Sequence, residues 1–289
     1  FKALSANQVD LRNAIVEACV TEYETKEDEP YVFLVKGEAG VGKSVVLSAT
    51  FNKIEELAQD KDSPLYGTEN RLLVNHTEML KTYEDIAGRV KTLKKKQFLK
   101  PTTFINQQKK KGKRADIVFV DEAHLLLTRP DAFNNFRENN QLEEIIEHSR
   151  VVVLMYDEKQ VLRFKSYWDE ERLQQIVKPY RKNKPYLLTD QFRMEAPESV
   201  IEWIDDFVEK QIVSELPDAG DYDFRIFSDA NEMYEMIREK NETEGLARIV
   251  STFDYIHKKD GKDYFVESGS FSLPWNRVTK NTWAEEETS

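Results

Sequence analysis

The feature that most constrains this chain is the segment 37–44, which reads Gly-Glu-Ala-Gly-Val-Gly-Lys-Ser. It fits the pattern G-x-x-x-x-G-K-[ST], in which glycines let backbone N–H groups approach a phosphate chain closely. A run of β-forming residues at 31–35 precedes it, and a helical stretch from 45 to about 58 follows. A strand, this loop and a helix are the context that the motif requires. The sequence therefore predicts an α/β fold with a phosphate-binding loop.

Each part of this loop has an expected role. Lys43 is expected to reach the β and γ phosphates of ATP, and Ser44 to place its hydroxyl on Mg²⁺. The alternative is a glycine-rich turn before an ordinary helix. The predicted nucleotide-binding residues here are Gly37, Glu38, Ala39, Gly40, Val41, Gly42, Lys43, Ser44 and Val45.

A second signal is the segment from 116 to 124, in which the apolar run 117–120 leads into Asp121 and Glu122. A carboxylate at the tip of such a strand is suited to hold Mg²⁺, and we assign this role to Asp121. Glu122 is expected to orient and deprotonate the attacking water. The two acids could instead cap a helix. Because signalling GTPases usually lack the second acid, the pair favours an ATP-hydrolysing motor or remodeller.

Two further polar groups follow predicted strands. The apolar run 151–156 leads to Gln160, which is placed to sense the γ-phosphate, although an exposed loop amide is the alternative. A later strand leads to Gln191 and Arg193. Arg193 is the best candidate for an arginine finger, a fixed cation that meets charge developing on the γ-phosphate. An ordinary surface arginine in a salt bridge is the alternative.

Composition limits the class of protein. Apolar residues make up 40% and charged residues 33% of the 289 residues, which indicates globular cores with a highly charged surface. No apolar run approaches the roughly 20 residues of a membrane span, so no membrane association is expected. The lone cysteine, Cys19, excludes an internal disulfide and suits a reducing cytoplasm.

Charge is distributed unevenly along the chain. The net charge is −11, yet the segment 81–114 contains 12 Lys or Arg residues and only two acids. Such asymmetry can concentrate one basic surface on an otherwise acidic molecule. This basic segment is therefore a candidate surface for phosphate backbones, and a solvated, mobile loop is the alternative.

The second part of the chain predicts another α/β unit. Strands are expected at 222–227 and 246–252, with a helix at 229–241 between them, and this alternation implies a second parallel sheet. We expect two domains, residues 1–184 and residues 185–289. The chain begins at Phe1 rather than Met, which suggests a fragment.

The ordered set of Gln8, GEAGVGKS, VFVDEAH, DEKQ and QFRM resembles superfamily 1 DNA/RNA helicases. The later segments DANEMYEMIREKNETEGLARIVSTFDY and FSLPWN are similar to a narrower group, the helicase-like family related to the Schlafen group 3 helicase domain. That family is found in many bacterial and phage proteins. The resemblance covers most of residues 4–277.

The resemblance implies two RecA-like domains with ATP between them and single-stranded DNA or RNA crossing the top of both. It implies that Gln8 recognises adenine, although a solvated helix side chain is the alternative. It also implies that Gln191 and Arg193 belong to the second domain. Phe104 could stack on a base, and a core position is the alternative.

The chain departs from the family after residues 275–276, where neither a Gly/Gln-rich segment nor a final arginine motif appears. We therefore expect ATP binding with slow hydrolysis. Two functions fit the sequence. One is an ATP-dependent helicase or translocase, and the other is a nucleotide switch that recruits a protein partner without unwinding.

Overall fold

The structure is a computed structural model, and it describes residues 4–25, 28–38, 40–157, 159–160, 168, 170–182, 184–189, 196–251, 255–256, 258 and 262–275. The chain divides into two compact units, Phe1–Glu195 and Ala196–Ser289. In the described part of the chain, no helix has both the length and the apolar character needed to cross a bilayer.

The first unit is built on a six-stranded parallel sheet, in the order β3-β2-β4-β5-β1-β6. Its strands read as continuous apolar runs because helices cover both of its faces. The strands are β1 (Tyr31–Gly37), β2 (Asn70–Val74), β3 (Phe98–Leu99), β4 (Ala115–Asp121), β5 (Ser149–Tyr156) and β6 (Tyr186–Leu188).

Two apolar cores lie against this sheet, one on each face. Alternate residues of each strand point to opposite faces, so Val151 and Val153 of β5 join one core, and Val152 and Leu154 join the other. The first core includes helices α1 (Ala6–Thr25), α2 (Lys43–Gln59) and α3 (Thr77–Arg89). The second includes α4 (Pro101–Lys111), α5 (Gln141–Glu147) and α6 (Glu170–Val177). The predicted α/β architecture with a parallel sheet is confirmed in the first unit.

Strand order brings the predicted site residues to one edge of the sheet. β5 lies between β1, which leads into the phosphate loop, and β4, which ends in Asp121. Because all three strands are parallel, their carboxyl ends meet at the same edge.

The boundary between the units differs from the expected one at 184/185. β6 pairs with β1 in register from Val35↔Tyr186 to Gly37↔Leu188, so it completes the first sheet. The first unit therefore includes β6, beyond the expected boundary.

The second unit contains helices α7 (Glu198–Lys210) and α8 (Ala230–Thr243) and an antiparallel hairpin of β7 (Tyr264–Ser268) and β8 (Phe271–Trp275). Residues 222–227 and 246–251 are not in strands. The described residues of this unit thus lack the expected second parallel sheet. A strand needs a paired neighbour, and an alternating sequence such as 222–227 does not by itself provide one.

Candidate nucleotide-binding site

The phosphate loop joins β1 to α2 through a backbone that favours glycine. Gly42 is the N-cap of α2 with φ 77°, in the left-handed region that residues with a Cβ rarely adopt. Gly37 has a steric reason to be glycine, since a Cβ there would lie 2.8 Å from Val41 Cγ2. The loop is therefore compact, as required for close approach of a phosphate. Ala39 lies outside the described residues.

Lys43 is folded onto the loop that precedes it. Its Nζ donates to the carbonyl oxygens of Gly37 and Glu38, each at 2.7 Å, and lies 3.0 Å from Asp157 Oδ2. Lys43 is only 6% exposed and Asp157 is fully buried. The ammonium group is thus held at the first turn of α2, where a phosphate would also receive helix N–H groups.

Asp157, directly after β5, connects this lysine to Gln160. The Gln160 Nε2 donates to Asp157 Oδ2 at 2.6 Å, and the Lys159 backbone N–H donates to Asp157 Oδ1 at 3.0 Å. Lys159 also reaches across to Glu38, 3.0 Å away. The structure therefore brings the predicted phosphate sensor within one carboxylate of the phosphate-loop lysine.

Asp121 is fully buried at the end of β4 and accepts two hydrogen bonds. Tyr83 donates its hydroxyl to Oδ2 at 2.7 Å, and the Glu122 backbone N–H donates to Oδ1 at 3.0 Å. The Ser44 hydroxyl lies within hydrogen-bonding reach of both Asp121 and Tyr83. Burial raises the pKa of Asp121, and these hydrogen bonds and the charge of Lys43 oppose that rise.

Glu122 has a strained backbone, with φ 50° and ψ 50° in the left-handed region. Its Oε2 lies 3.2 Å from Nε2 of His124, which is buried behind it. Burial lowers the pKa of His124 to about 4, so this imidazole is neutral at pH 7. Strained backbone at a carboxylate in a polar cluster is typical of functional sites.

Gln8 lies against the phosphate loop instead of projecting into solvent. Its Nε2 donates to the Val41 carbonyl at 3.3 Å, and its Oε1 accepts from the Ser5 backbone N–H at 3.2 Å. The Ser5 hydroxyl accepts in turn from the Gln8 backbone N–H, which completes a capping box at the start of α1. The sequence alternative of a solvated side chain does not hold, because Gln8 is only 4% exposed.

The residues present fit a Mg²⁺ ion bound together with a triphosphate. Mg²⁺ usually takes one or two carboxylates and keeps phosphate and water as its other ligands. Ser44 and Asp121 supply one hydroxyl and one carboxylate side by side. Within the described residues, no group of three or more His, Cys, Asp or Glu side chains forms a separate metal cage.

Like Ala39, the predicted residues Gln191 and Arg193 lie outside the described residues. Conversely, sequence reasoning assigned no role to Asp157, Tyr83 or His124. The sequence does contain a pattern that could have identified Asp157, because this carboxylate directly follows an apolar strand. No sequence pattern points to Tyr83, since its contact with Asp121 spans 38 positions and depends on the packing of α3.

Three lysines of the basic segment 81–114 are paired with carboxylates. Lys111 and Lys113 pair with Glu69 at 2.5 and 2.7 Å, and Lys109 pairs with Glu138 and Glu144. Glu69 precedes β2, so the Glu69 pairs lie at the sheet edge opposite the phosphate loop. The alternative of a solvated, mobile loop does not hold for residues 101–111, because they form α4. Phe104 is fully buried in the second core, so the stacking hypothesis for it is wrong.

Lys100 occupies a different position. It is the N-cap of α4, follows the carboxyl end of β3, and donates from Nζ to Thr77 Oγ1 at 2.9 Å. Thr77 is the first residue of α3. Two helix N-termini and one lysine therefore lie together at the same edge as the phosphate loop, an arrangement that attracts anions.

The solved structures similar to this chain include two of Pif1 helicases. The crystal structure of Pif1 helicase from Candida albicans is 13% identical, with a TM-score of 0.40, over 89% of this chain and 50% of that one. A structure described as DNA unwinding at forked double-stranded DNA by two coordinating Pif1 helicases is 11% identical, with a TM-score of 0.37, over 74% and 50%. The chain thus spans half the length of these helicases, and the fold assignment rests on its own sheet.

Two sequence comparisons are more specific. An uncharacterised protein of Saccharomyces cerevisiae is 38% identical over 312 aligned positions, which cover 98% of this chain and 69% of the yeast protein. This relative gives no support to a bacterial or phage source. The family model described as the Schlafen group 3 DNA/RNA helicase domain matches residues 30–289. The chain therefore belongs to the Schlafen group 3 DNA/RNA helicase domain family.

Proposed function

We propose that this domain binds ATP with Mg²⁺ and hydrolyses it to drive movement along, or remodelling of, single-stranded nucleic acid. The observation that carries the proposal is the convergence at one sheet edge of the phosphate loop, the acid pair and Asp157. The last of these binds Lys43 and Gln160 with the same oxygen. This edge combines an anion-binding helix terminus, a buried cation and carboxylates for a metal ion and for water.

Lys43 is the proposed phosphate ligand. Its present partners are two carbonyl oxygens and Asp157, all of which carry partial or full negative charge. A phosphate oxygen offers the same type of charge-assisted hydrogen bond. If a phosphate replaced these partners of Lys43, Asp157 would still accept hydrogen bonds from Gln160 and Lys159.

Ser44 and Asp121 are the proposed ligands of Mg²⁺, which would neutralise charge on the phosphates when bound. Glu122 is the proposed general base, which accepts a proton from the attacking water. His124 lies 3.2 Å from this carboxylate as a neutral, buried imidazole, so it adds no positive charge beside the proposed base. Gln160 and Arg193 are proposed to contact the γ-phosphate, and Gln191 to contribute beside Arg193.

Gln8 is proposed to hold the adenine side of the nucleotide site. Both amide atoms already bond within the chain, the nitrogen to Val41 and the oxygen to Ser5. Its support is this position beside the phosphate loop.

The proposed path for nucleic acid passes over Lys100 and the first turns of α3 and α4. Phosphate contacts of this kind give affinity without sequence specificity. The location of Lys100 at the nucleotide-binding edge favours it over Lys109, Lys111 and Lys113, which are paired with carboxylates.

The decisive experiment measures ATP binding and ATPase rate with and without single-stranded DNA or RNA, over a range of salt concentrations. If the domain is a motor, its ATPase rate should rise when nucleic acid is added, and this stimulation should be lost as the salt concentration increases. ATP binding with a rate indifferent to either nucleic acid would favour the nucleotide switch that recruits a protein partner. Failure to bind ATP would overturn both functions.

A further inference from the structure

We infer that Tyr83 is a positioning residue for the metal ligand Asp121, and that it makes helix α3 part of the nucleotide site. This inference rests on the proposed function. Its basis is the 2.7 Å hydrogen bond from the Tyr83 hydroxyl to Asp121 Oδ2. Both side chains are buried, with Tyr83 only 4% exposed and Asp121 fully buried.

One face of the Tyr83 ring is held in place by packing against the sheet. It stacks on Phe98 of β3, with ring centroids 5.8 Å apart and planes at 11°. On another side it borders a cavity of about 470 Å³, lined chiefly by apolar side chains of α2 and α3. The hydroxyl is therefore aimed at Asp121 by the sheet and by α3 together.

The hydrogen bonds to Asp121 divide its two oxygens. Glu122 N–H holds Oδ1 and Tyr83 holds Oδ2, so the plane of the carboxylate is fixed before any ligand arrives. Donors that orient a metal-binding carboxylate in this way commonly change metal affinity by about 10- to 100-fold when removed. Because Ser44 is within reach of the same hydroxyl, the loss would affect both proposed metal ligands.

Helix α3 also begins at the proposed nucleic-acid edge. Its first residue, Thr77, accepts a hydrogen bond from Lys100, and Tyr83 lies six positions further along the same helix. Helix α3 therefore contacts both Lys100 and Asp121. It is a physical link between a nucleic-acid strand bound at Lys100 and the orientation of the Asp121 carboxylate.

The test is Tyr83→Phe, which removes the hydroxyl and keeps the ring that stacks on Phe98. The probe is a fluorescent N-methylanthraniloyl derivative of ATP, titrated with Mg²⁺ and separately in excess chelator. We expect the Mg²⁺ concentration for half-maximal binding to rise about 10-fold, with metal-free affinity unchanged. Tyr31→Phe is the matched control, since Tyr31 is equally buried but lies at the far end of β1.

Equal weakening of metal-free and metal-supported binding would assign Tyr83 to packing alone and overturn the inference. An unchanged Mg²⁺ dependence would also overturn it, while leaving the proposed function intact. Failure of the unaltered chain to bind the nucleotide would overturn both. If Tyr83→Phe does not fold, Phe98→Leu, which loosens the ring and retains the hydroxyl, should give a smaller shift in the same direction, and no shift would overturn the inference.

Discussion

The Lys43 ammonium and the Asp157 carboxylate form an ion pair of 3.0 Å in which neither side chain is more than 6% exposed. Removing one member of a buried pair leaves the other charge without compensation, whereas removing both does not. Substitutions in this pair should therefore change the free energy of unfolding, whether or not the chain is catalytically active.

Asp157→Asn should lower the free energy of unfolding by about 2 to 4 kcal/mol, because Lys43 then remains buried with only carbonyl partners. Lys43→Met should also destabilise the chain. The double variant should lose less than the sum of the two single losses. Urea denaturation without nucleotide measures all three. Additive losses would show that the two charges do not depend on each other.

Glu122→Gln should keep ATP affinity and lower kcat by about 100- to 10,000-fold, the usual contribution of a general base. The amide has nearly the same shape but cannot accept the proton of water. Steady-state ATPase rates and nucleotide binding separate the two effects. Glu56→Gln, at an exposed carboxylate of α2, is the control and should leave both quantities unchanged.

Lys100→Ala should weaken binding to single-stranded nucleic acid and reduce the slope of log affinity against log salt by about 1. Lys111→Ala removes the same charge at the opposite edge, where Glu69 already neutralises it, and should change the slope little. Fluorescence anisotropy with a labelled homopolymer measures both. Equal effects of the two substitutions would contradict a contact confined to the nucleotide-binding edge.

Glu69 should make stability depend on pH below about 4.5. Burial alone would raise its pKa, but Lys111, Lys113 and Arg71 outweigh burial and lower the pKa of Glu69 to about 2. The carboxylate therefore stabilises the fold above pH 4.5, and this contribution is lost as pH falls towards 2.

Glu69→Gln should cost about 1 to 2 kcal/mol at pH 7, after allowance for solvent screening of partly exposed lysines. The difference from the unaltered chain should shrink across that acidic range. Urea unfolding at successive pH values tests this. Glu56→Gln removes one member of an exposed pair and should change stability by less than about 0.5 kcal/mol. A Glu69 difference that stays constant with pH would contradict the assignment.

Local sequence predicted the parts of the site that depend on local backbone chemistry. The loop at 37–44 and the acid pair follow directly from strand, turn and helix preferences, and β1, β2, β4 and β5 follow from apolar runs. Long-range packing was not predictable in the same way. The Tyr83–Asp121 contact, the burial of Phe104 and the pairing of Lys111 each require two distant segments to meet.

The second unit shows the other limit of local patterns. Residues 222–227 have the composition of a strand, yet a strand forms only when another segment offers its backbone groups. The same rule explains why Gln8 was ambiguous, because whether a helical glutamine is solvated depends on what packs against it. In this chain, the Gln8 side chain donates a hydrogen bond to the Val41 carbonyl.

Strand β5 is hydrogen-bonded on both sides, to β1 and to β4, and helices cover both of its faces. Its amide protons should therefore be among the slowest in the first unit to exchange with deuterium. Asp157 is attached to the end of that strand, so the group that holds Lys43 is anchored to the part of the sheet that opens least often. If a bound nucleotide moves Lys43, we therefore expect the phosphate loop to change conformation while the end of β5 stays in place.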